Sequence, residues 1–290
     1  MGYSTVLVID DPATKNYSNF FQAVLNQLPP SLPGIDVLVT QRVKQTKELN
    51  YILSSVYGSL RSCANEQMFP FTFGINVLVN SLRSDWDFAF VPASESGNGV
   101  VADKTRAIET EVDNRRPPDF QSFSEHQFSV SAVGGTFDHL HDGHKILLSA
   151  AAFATSKHLI VGITGQQMLS KKKFAEAMES LDRRIGAVTK YLKEILPESV
   201  TFSIYQIDDV CGPTGFVRDI DALVISEETR KGATFVNDYR RKQGFSELEV
   251  LSVDVLGSGG GEQDNWKGKI SSTDMREEEL KRRSKKQRIV

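Results

Sequence analysis

The sequence predicts an α/β protein: a doubly wound parallel sheet in the C-terminal part, preceded by a smaller α/β domain. Two observations support this prediction. Short apolar, β-branched runs alternate with segments of helical apolar periodicity along most of the chain. Near residue 140, a glycine pair ends an apolar run and a histidine-rich turn leads into a helix. A strand, a tight turn and a helix N-terminus in this order present backbone N–H groups to a phosphate.

Residues 1–112 are predicted to form the smaller domain, and its elements follow one another in the order of an α/β unit. They are a strand at Ser4–Ile9, a helix at Tyr17–Leu28, a strand at Ile35–Val39, a helix at Lys47–Arg61, and strands at Ile75–Val79 and Phe88–Val91. Asp10 and Asp11 follow the first strand and indicate a polar strand exit, with a metal site as the less common alternative. Two roles stay open for this domain, partner docking and scaffold support.

The polar residues 113–126 contain Arg115-Arg116-Pro117-Pro118 and predict a linker. Residues 127–290 then predict the second domain, in which helices separate the strands and therefore favour a parallel sheet. The strands are Phe128–Gly134, His158–Gly162, Val200–Ile207, Ala222–Ile225 and Leu248–Val255, and the helices are His144–Ala154, Lys173–Leu196, Lys231–Lys242 and Glu277–Lys286. A ligand crevice is expected at the carboxyl ends of the strands.

Composition narrows the class of protein. With a net charge of −3, the chain has no overall field for nucleic acid, and only its last residues, from Arg276, are strongly basic. Cys63 and Cys211 lie far apart, which fits a reducing compartment. There is no secretory leader pattern and no apolar run of the ~18 residues that a membrane helix needs. We therefore expect a cytoplasmic protein, with the nucleus as an alternative, and neither nucleic acid nor membrane as partner.

The histidine-rich turn has the residue types that phosphate chemistry needs. His141 and His144 are three residues apart at a helix start, so both can donate to a triphosphate from one face. Gly143 between them, like Gly134 and Gly135 before the turn, lets the backbone approach a ligand closely. A zinc site is the alternative for the histidines, although no cysteine or glutamate completes it.

A second anion site is predicted far along the chain. Gly257–Gly261 begins a polar loop, and Ser271-Ser272-Thr273 then precedes a charged helix. Such a Ser/Thr cluster is typical of a helix N-terminus, with Thr273 or Asp274 as the cap, and its N–H groups and hydroxyls can hold an anion.

Together these stretches carry a family resemblance. The pattern G-T-F-D-x-x-H-x-G-H over 135–144, with I-S-S-T-x-x-R over 270–276, resembles the nucleotidyltransferases that share the H-x-G-H signature, whose domain is Rossmann-like. The segments 162–164, 170–174, 208–214 and 224–229 resemble the eukaryotic phosphopantetheine adenylyltransferases in particular. The resemblance covers about Phe128 to Lys286, and fungal members are similar in carrying an N-terminal extension.

The resemblance implies transfer of AMP from ATP to 4′-phosphopantetheine, giving dephospho-coenzyme A and pyrophosphate, with other enzymes of coenzyme A synthesis as partners. Mg²⁺ is implied by the triphosphate rather than by a set of carboxylates, so no metal-ligating residue is predicted. The implied catalytic residues are His141, His144, Lys171 and Lys172. The implied ATP-binding residues are Gly134, Gly135, Thr136, Phe137, Gly143, Thr229, Arg230, Ser271, Ser272, Thr273 and Arg276. The acceptor is expected at Thr136, Lys171, Gly212, Pro213 and Thr214.

Alternatives stay open at this point. Three lysines in a row, 171–173, leave the catalytic one ambiguous, and each can equally be a solvated surface residue. Bacterial relatives carry R-G-L-R where this chain has residues 226–230, so the ATP contacts at Thr229 and Arg230 are the least specified. The rival functions are a nicotinate mononucleotide adenylyltransferase, a phosphocholine or phosphoethanolamine cytidylyltransferase, and a regulatory protein that binds nucleotides without catalysis. A fragment of an aminoacyl-tRNA synthetase ranks last because only the C-terminal end is basic.

Overall fold

The chain is described by a computed structural model, which covers residues 3–81, 83–95, 102–169, 172–254 and 271–287. Contacts divide these residues into two compact units. The first ends at Glu125 and the second begins at His126. Within the part of the chain that the structure describes, no helix combines the length and apolarity that a bilayer crossing requires.

The first unit is a parallel sheet with two helices. Its strands are β1 (Thr5–Ile9), β2 (Lys15–Asn16), β3 (Gly34–Val39), β4 (Gly74–Val79), β5 (Trp86–Pro92), β6 (Ala102–Ile108) and β7 (Asp113–Asn114), and its helices are α1 (Ser18–Leu25) and α2 (Thr46–Glu66). Five of them form the sheet in the order β4-β3-β1-β5-β6. All these pairings are parallel, and β1 and β3 are buried along their whole length, as their continuous apolar runs predict.

Two features of this unit differ from the sequence prediction. Strand β6 was not predicted, because five of its seven residues are exposed at the sheet edge and it has no apolar run to reveal it. The expected linker is also bonded to the first unit: β7 pairs with β2, and the Ser122 hydroxyl accepts from the N–H of Lys47 at 3.0 Å. Backbone pairing, which sequence periodicity does not show, therefore extends this unit up to Glu125.

The second unit contains the histidine-rich turn. Its strands are β8 (Phe128–Gly135), β9 (Thr155–Thr164), β10 (Thr201–Ile207), β11 (Ala222–Ser226) and β12 (Glu249–Val253), and its helices are α3 (Asp142–Ala154), α4 (Leu181–Ile195), α5 (Arg230–Lys242) and α6 (Ser272–Gln287). The sheet runs β10-β9-β8-β11-β12 with every pairing parallel. The predicted doubly wound α/β fold is confirmed. Both units share one strand order, 3-2-1-4-5 when each is numbered from its own first strand.

This strand order sets where a ligand can bind. Successive strands are added on one side of β8 up to β10 and then on the other side from β11, so the order reverses between β8 and β11. In doubly wound sheets the crevice lies at the carboxyl ends of the strands at this reversal. The turn after β8 begins there.

The predicted helix Lys173–Leu196 is wrong in its first two turns. Phe174 has a left-handed backbone (φ 56°), Ala175–Ala177 is a short 3₁₀ turn, and α4 begins only at Leu181, where the Ser180 hydroxyl caps it by accepting from the N–H of Arg183. The backbone of residues 173–179 is instead hydrogen-bonded to the histidine-rich turn and to Arg276, as described below. Tertiary bonds thus override the helical apolar pattern.

An apolar cluster packs α5 against the sheet of the second unit. Ile160, 4% exposed, lies in it with residues of β8, β11 and α5. We expect Ile160→Ala to lower the free energy of unfolding of this unit by about 2–5 kcal/mol, because it removes buried methyl groups and leaves a cavity. Urea denaturation followed by circular dichroism measures this loss. The control is Val210→Ala, at a position 52% exposed, which should change stability by less than about 0.5 kcal/mol. Equal losses in the two variants would contradict the assigned core.

Candidate active site

The histidine-rich turn joins β8 to α3 and has a strained backbone. Phe137 (φ 50°) and His139 (φ 45°) both adopt left-handed conformations, which side chains other than glycine rarely do. A Cβ on Gly135 would lie 3.1 Å from the Phe137 ring, so this ring packs closely against the end of the strand. Strain of this kind persists only where surrounding contacts hold it, and such positions cluster at functional sites.

The structure brings His141 and His144 together at the start of α3. Their rings stack with centroids 3.8 Å apart, and the His144 ring also contacts Phe137 at 5.3 Å between centroids. Phe137 is fully buried, so its ring supports His144 from beneath rather than offering a surface to a ligand. His141 is the residue before the first turn of α3, and its carbonyl accepts from the N–H of Lys145 at 3.0 Å.

His144 lies in an environment that disfavours its charged form. Burial lowers its pKa well below the usual 6.5, and the nearby His141 and Lys172 lower it further. Its Nδ1 atom is buried and has no hydrogen-bond partner among the described residues. The ring is therefore neutral at pH 7. Of the two predicted lysines, Lys172 is close enough to contribute to this field, whereas Lys171 lies outside the described residues.

The neighbouring His139 binds the segment that precedes α4. Its Nε2 contacts the carbonyl of Ala177 at 2.9 Å, and its backbone N–H donates to Glu179 Oε2 at 2.8 Å. Glu179 in turn donates its own N–H to Asp138 Oδ1 at 2.9 Å. These bonds fix the segment before α4 against the turn.

The second predicted anion site, the start of α6, lies on the same turn. Ser272 Oγ donates to the carbonyl of Asp138 at 3.0 Å, although the two residues are 134 positions apart. Arg276 Nη1 pairs with Asp138 Oδ2 at 2.6 Å. The two stretches that the sequence singled out therefore lie against each other at the carboxyl end of β8.

The side chains of the α6 start are already engaged in bonds. Ser271 Oγ donates to Asp274 Oδ2 at 2.7 Å, and Thr273 Oγ1 accepts from Arg276 Nη2 at 3.2 Å. Arg276 is only 2% exposed. Its guanidinium is paired with the Asp138 carboxylate and is not open to a ligand. The first N–H groups of a helix have no partner within the helix. Those of Ser272 and Thr273 are therefore the donors that this end of α6 offers to an anion.

A buried arginine that was not predicted from the sequence stabilises the histidine-rich turn. Arg184, on α4, is 1% exposed and donates to the carbonyls of Thr136 at 2.9 Å and Thr164 at 2.8 Å. It links the carboxyl ends of β8 and β9. The available signal was its position four residues before the buried Val188, on the core-facing side of the helix. The roles of Asp138 and Glu179 were missed because they depend on contacts between distant segments.

The remaining predicted residues lie at the carboxyl ends of neighbouring strands. The Gly212–Gly215 turn follows β10, and Gly212 (φ 46°) is required there because an added Cβ would lie 2.5 Å from Ile207 Cγ2. The carbonyl of Thr214 is held by Arg240 at 2.7 Å. Thr229 and Arg230 follow β11, where Arg230 pairs with Glu227 at 2.6 Å at an exposed position.

The described residues contain no group of three or more His, Cys, Asp or Glu side chains arranged to hold a metal ion. Asp10 and Asp11, the less common metal alternative in the first unit, are engaged instead. Asp11 caps the following turn by accepting from the N–H groups of Ala13 and Thr14, and Asp10 pairs with Lys15 at 3.2 Å.

Comparison with known proteins identifies the family. The family model described as cytidylyltransferase-like matches residues 132–278. The phosphopantetheine adenylyltransferase of Saccharomyces cerevisiae is 34% identical over an alignment of 276 residues, gaps included, which covers 88% of this chain and 87% of the yeast protein. The chain belongs to the cytidylyltransferase-like family. The resemblance read from its two motifs is confirmed, and the chain is a nucleotidyltransferase.

Two further relatives show how far the likeness extends. An uncharacterized protein of Schizosaccharomyces pombe is 34% identical over 221 residues, 72% of this chain and 70% of that protein. The phosphopantetheine adenylyltransferase of Pyrococcus horikoshii is 36% identical over 132 residues, which are 46% of this chain and 82% of the archaeal protein. The likeness to the yeast family member thus includes residues of the first unit, whereas the archaeal one matches less than half of the chain.

The depressed pKa of His144 predicts a pH-dependent stability. Because the folded chain holds this ring neutral while the unfolded chain protonates it near 6.5, the unfolded state binds more protons once the pH falls below about 6.5. This group therefore costs stability as the pH falls towards its folded pKa, with a slope of up to about 1.4 kcal/mol per pH unit. Urea titrations between about pH 5 and 7 should show a flatter slope in His144→Gln. The control, Val210→Ala at a position 52% exposed, removes no titratable group and should keep the wild-type slope. An unchanged slope in His144→Gln would contradict the assigned environment.

Proposed function

We propose that the second unit transfers AMP from ATP to 4′-phosphopantetheine, producing dephospho-coenzyme A and pyrophosphate in the synthesis of coenzyme A. The observation that supports this most is the meeting of the histidine-rich turn with the α6 start, through Ser272 on the Asp138 carbonyl. Two helix N-termini, those of α3 and α6, thereby belong to one site. A triphosphate needs such an array of donors. The name of the yeast relative supports the acceptor.

In the proposed reaction, a phosphate oxygen of 4′-phosphopantetheine attacks the α-phosphorus of ATP. The bond from this phosphorus to the β-phosphate oxygen breaks, and pyrophosphate leaves. The protein supplies no nucleophile, so its contribution is to align the two anions and to stabilise the charge that develops on the transferring group.

We assign the triphosphate to the donors around the two helix starts. His144 and His141 donate from the turn, Gly143 lets the backbone of α3 approach, and the N–H groups of Ser272 and Thr273 donate from α6. Because His144 is neutral in the absence of ligand, it gives one N–H without the desolvation cost of a buried charge. Once the triphosphate is bound, its negative charge favours the protonated form of the His144 ring.

The rest of the site is assigned by position. Thr136, at the carboxyl end of β8, and the Gly212–Gly215 turn after β10 are assigned to the acceptor. Lys171 and Lys172 are assigned to the attacking and leaving oxygens, and Thr229 and Arg230 to the nucleotide. Gly134 and Gly135 keep the strand end open to the ligand, and Ser271 completes the α6 start.

Mg²⁺ accompanies the triphosphate in this proposal. The described residues offer no cluster of carboxylates for it, so the ion is assigned to phosphate oxygens and waters, where it neutralises charge. We also propose a cytoplasmic location and an association with other enzymes of coenzyme A synthesis. The free Cys63 and Cys211 support a reducing compartment.

The proposed activity is tested by mixing the full chain with Mg²⁺, ATP and 4′-phosphopantetheine. We expect dephospho-coenzyme A and pyrophosphate to form in equal amounts. Reactions with CTP and phosphocholine, or with ATP and nicotinate mononucleotide, serve as controls for the sister activities. Turnover in one of these controls without turnover of 4′-phosphopantetheine would contradict the proposed acceptor.

His144→Ala should lower kcat by at least ~100-fold, which is the scale of losing one donor to the transition state. Initial rates of pyrophosphate release at saturating substrates measure this. The matched control is His158→Ala, which removes a half-buried ring of β9 that is hydrogen-bonded to Thr201 Oγ1, and it should stay within about twofold of the wild type. Near-normal turnover by folded His144→Ala would show that this ring does not act on the transferring phosphate.

A further inference from the structure

A deeply buried ion pair joins the histidine-rich turn to α6. Asp138 is fully buried and Arg276 is 2% exposed. Each group has further partners: Asp138 Oδ1 accepts from the N–H of Glu179 at 2.9 Å, and Arg276 Nε donates to the carbonyl of Lys173 at 2.9 Å. The pair therefore joins three segments, namely the histidine-rich turn, the residues that follow the lysine run, and α6.

We propose that Asp138 and Arg276 are positioning residues for nucleotide binding. Through them, α6 is held so that its first N–H groups face the same ligand as His144. This inference rests on the proposed function, in that it assumes that the triphosphate binds between the two helix starts. It replaces the direct phosphate contact expected of Arg276 with an indirect one.

The geometry favours this role over simple stabilisation. Arg276 lies one helical turn after Ser272 and Thr273, and its Nη2 bond to Thr273 Oγ1 at 3.2 Å fixes that turn. On the opposite side, Asp138 lies between two left-handed residues, Phe137 and His139. Its carbonyl accepts from Ser272 Oγ, while its carboxylate accepts from Arg276. Both halves of the site are thus fixed by the same two residues.

Other buried arginines of the chain serve as a comparison. Arg240 donates to the carbonyls of Thr214, Val217, Arg218 and Ser246, and no carboxylate pairs with it among the described residues. Arg61, 4% exposed in the first unit, donates to the carbonyl of Phe73 at 2.8 Å. These arginines hold loops. Arg276 differs from Arg240 because its partner is the carboxylate of Asp138, within the histidine-rich turn.

The test is the dissociation constant of MgATP, measured by isothermal titration calorimetry on the full chain without acceptor. Arg276→Lys keeps a charge near Asp138 but loses the planar fork that reaches three partners. We expect it to weaken MgATP binding at least ~10-fold, because small misplacements of donors are costly. Asp138→Asn should do the same from the other side.

Two controls separate positioning from stability. Arg61→Lys removes the same fork from a buried site in the other unit, and Arg282→Ala alters an exposed pair with Glu278 on α6 itself. We expect both to bind MgATP within about twofold of the wild type, even where Arg61→Lys lowers Tm. If a single variant at the pair does not fold, Asp138→Asn combined with Arg276→Gln removes both charges of the pair together, and it should still bind MgATP at least ~10-fold more weakly.

Wild-type affinity for MgATP in folded variants of the pair would overturn the inference. A wild-type chain that binds MgATP and does not use 4′-phosphopantetheine would instead fail the proposed function. The same calorimetric comparison would then still decide whether the pair positions the nucleotide. Weakened binding in the Arg61→Lys control as well would also overturn the inference, because it would assign the effect to lost stability.

Discussion

The buried ion pair between Asp138 and Arg276 is the interaction on which the site depends. It joins residues 138 positions apart at 2.6 Å, and so brings a helix near the end of the chain onto the turn that follows the first strand of the second unit. Charges are expensive to bury, and a pair of this kind is retained only where its partners and hydrogen bonds are in place. Here each charge has an additional backbone partner.

Two buried arginines of the second unit donate hydrogen bonds to backbone carbonyl groups. Arg184 and Arg240 each bind several backbone carbonyls at the ends of strands and loops, where such groups would otherwise lack partners. His144 differs from these arginines. Burial keeps its ring neutral, and its Nδ1 has no partner among the described residues. The fold thus fixes its backbone with permanent charges and leaves a neutral donor at the point where the anion is proposed to bind.

How much of this was predictable depends on the range of the contacts involved. Alternating apolar runs were sufficient for the α/β class and for most strands, because local periodicity determines them. The Lys173–Leu196 helix was overextended, since residues 173–179 bond to the distant turn and to Arg276. The edge strand β6 was missed because backbone pairing alone defines it. Both stretches that we propose to bind the triphosphate were recognisable as motifs. Arg276, which was expected to contact phosphate, instead pairs with Asp138. Only the three-dimensional contacts reveal this.

The shared strand order of the two units places one architecture twice in the chain, and the family relationship to the yeast protein includes residues of both. In the second unit, we propose that one triphosphate binds the starts of both α3 and α6. A crystal structure of the full chain with Mg²⁺ and a non-hydrolysable ATP analogue tests it most directly. We expect phosphate oxygens within hydrogen-bond distance of His144 and of the N–H groups of Ser272 and Thr273, with Arg276 still paired with Asp138. A triphosphate bound away from α6, or one that displaces Asp138 from Arg276, would contradict it.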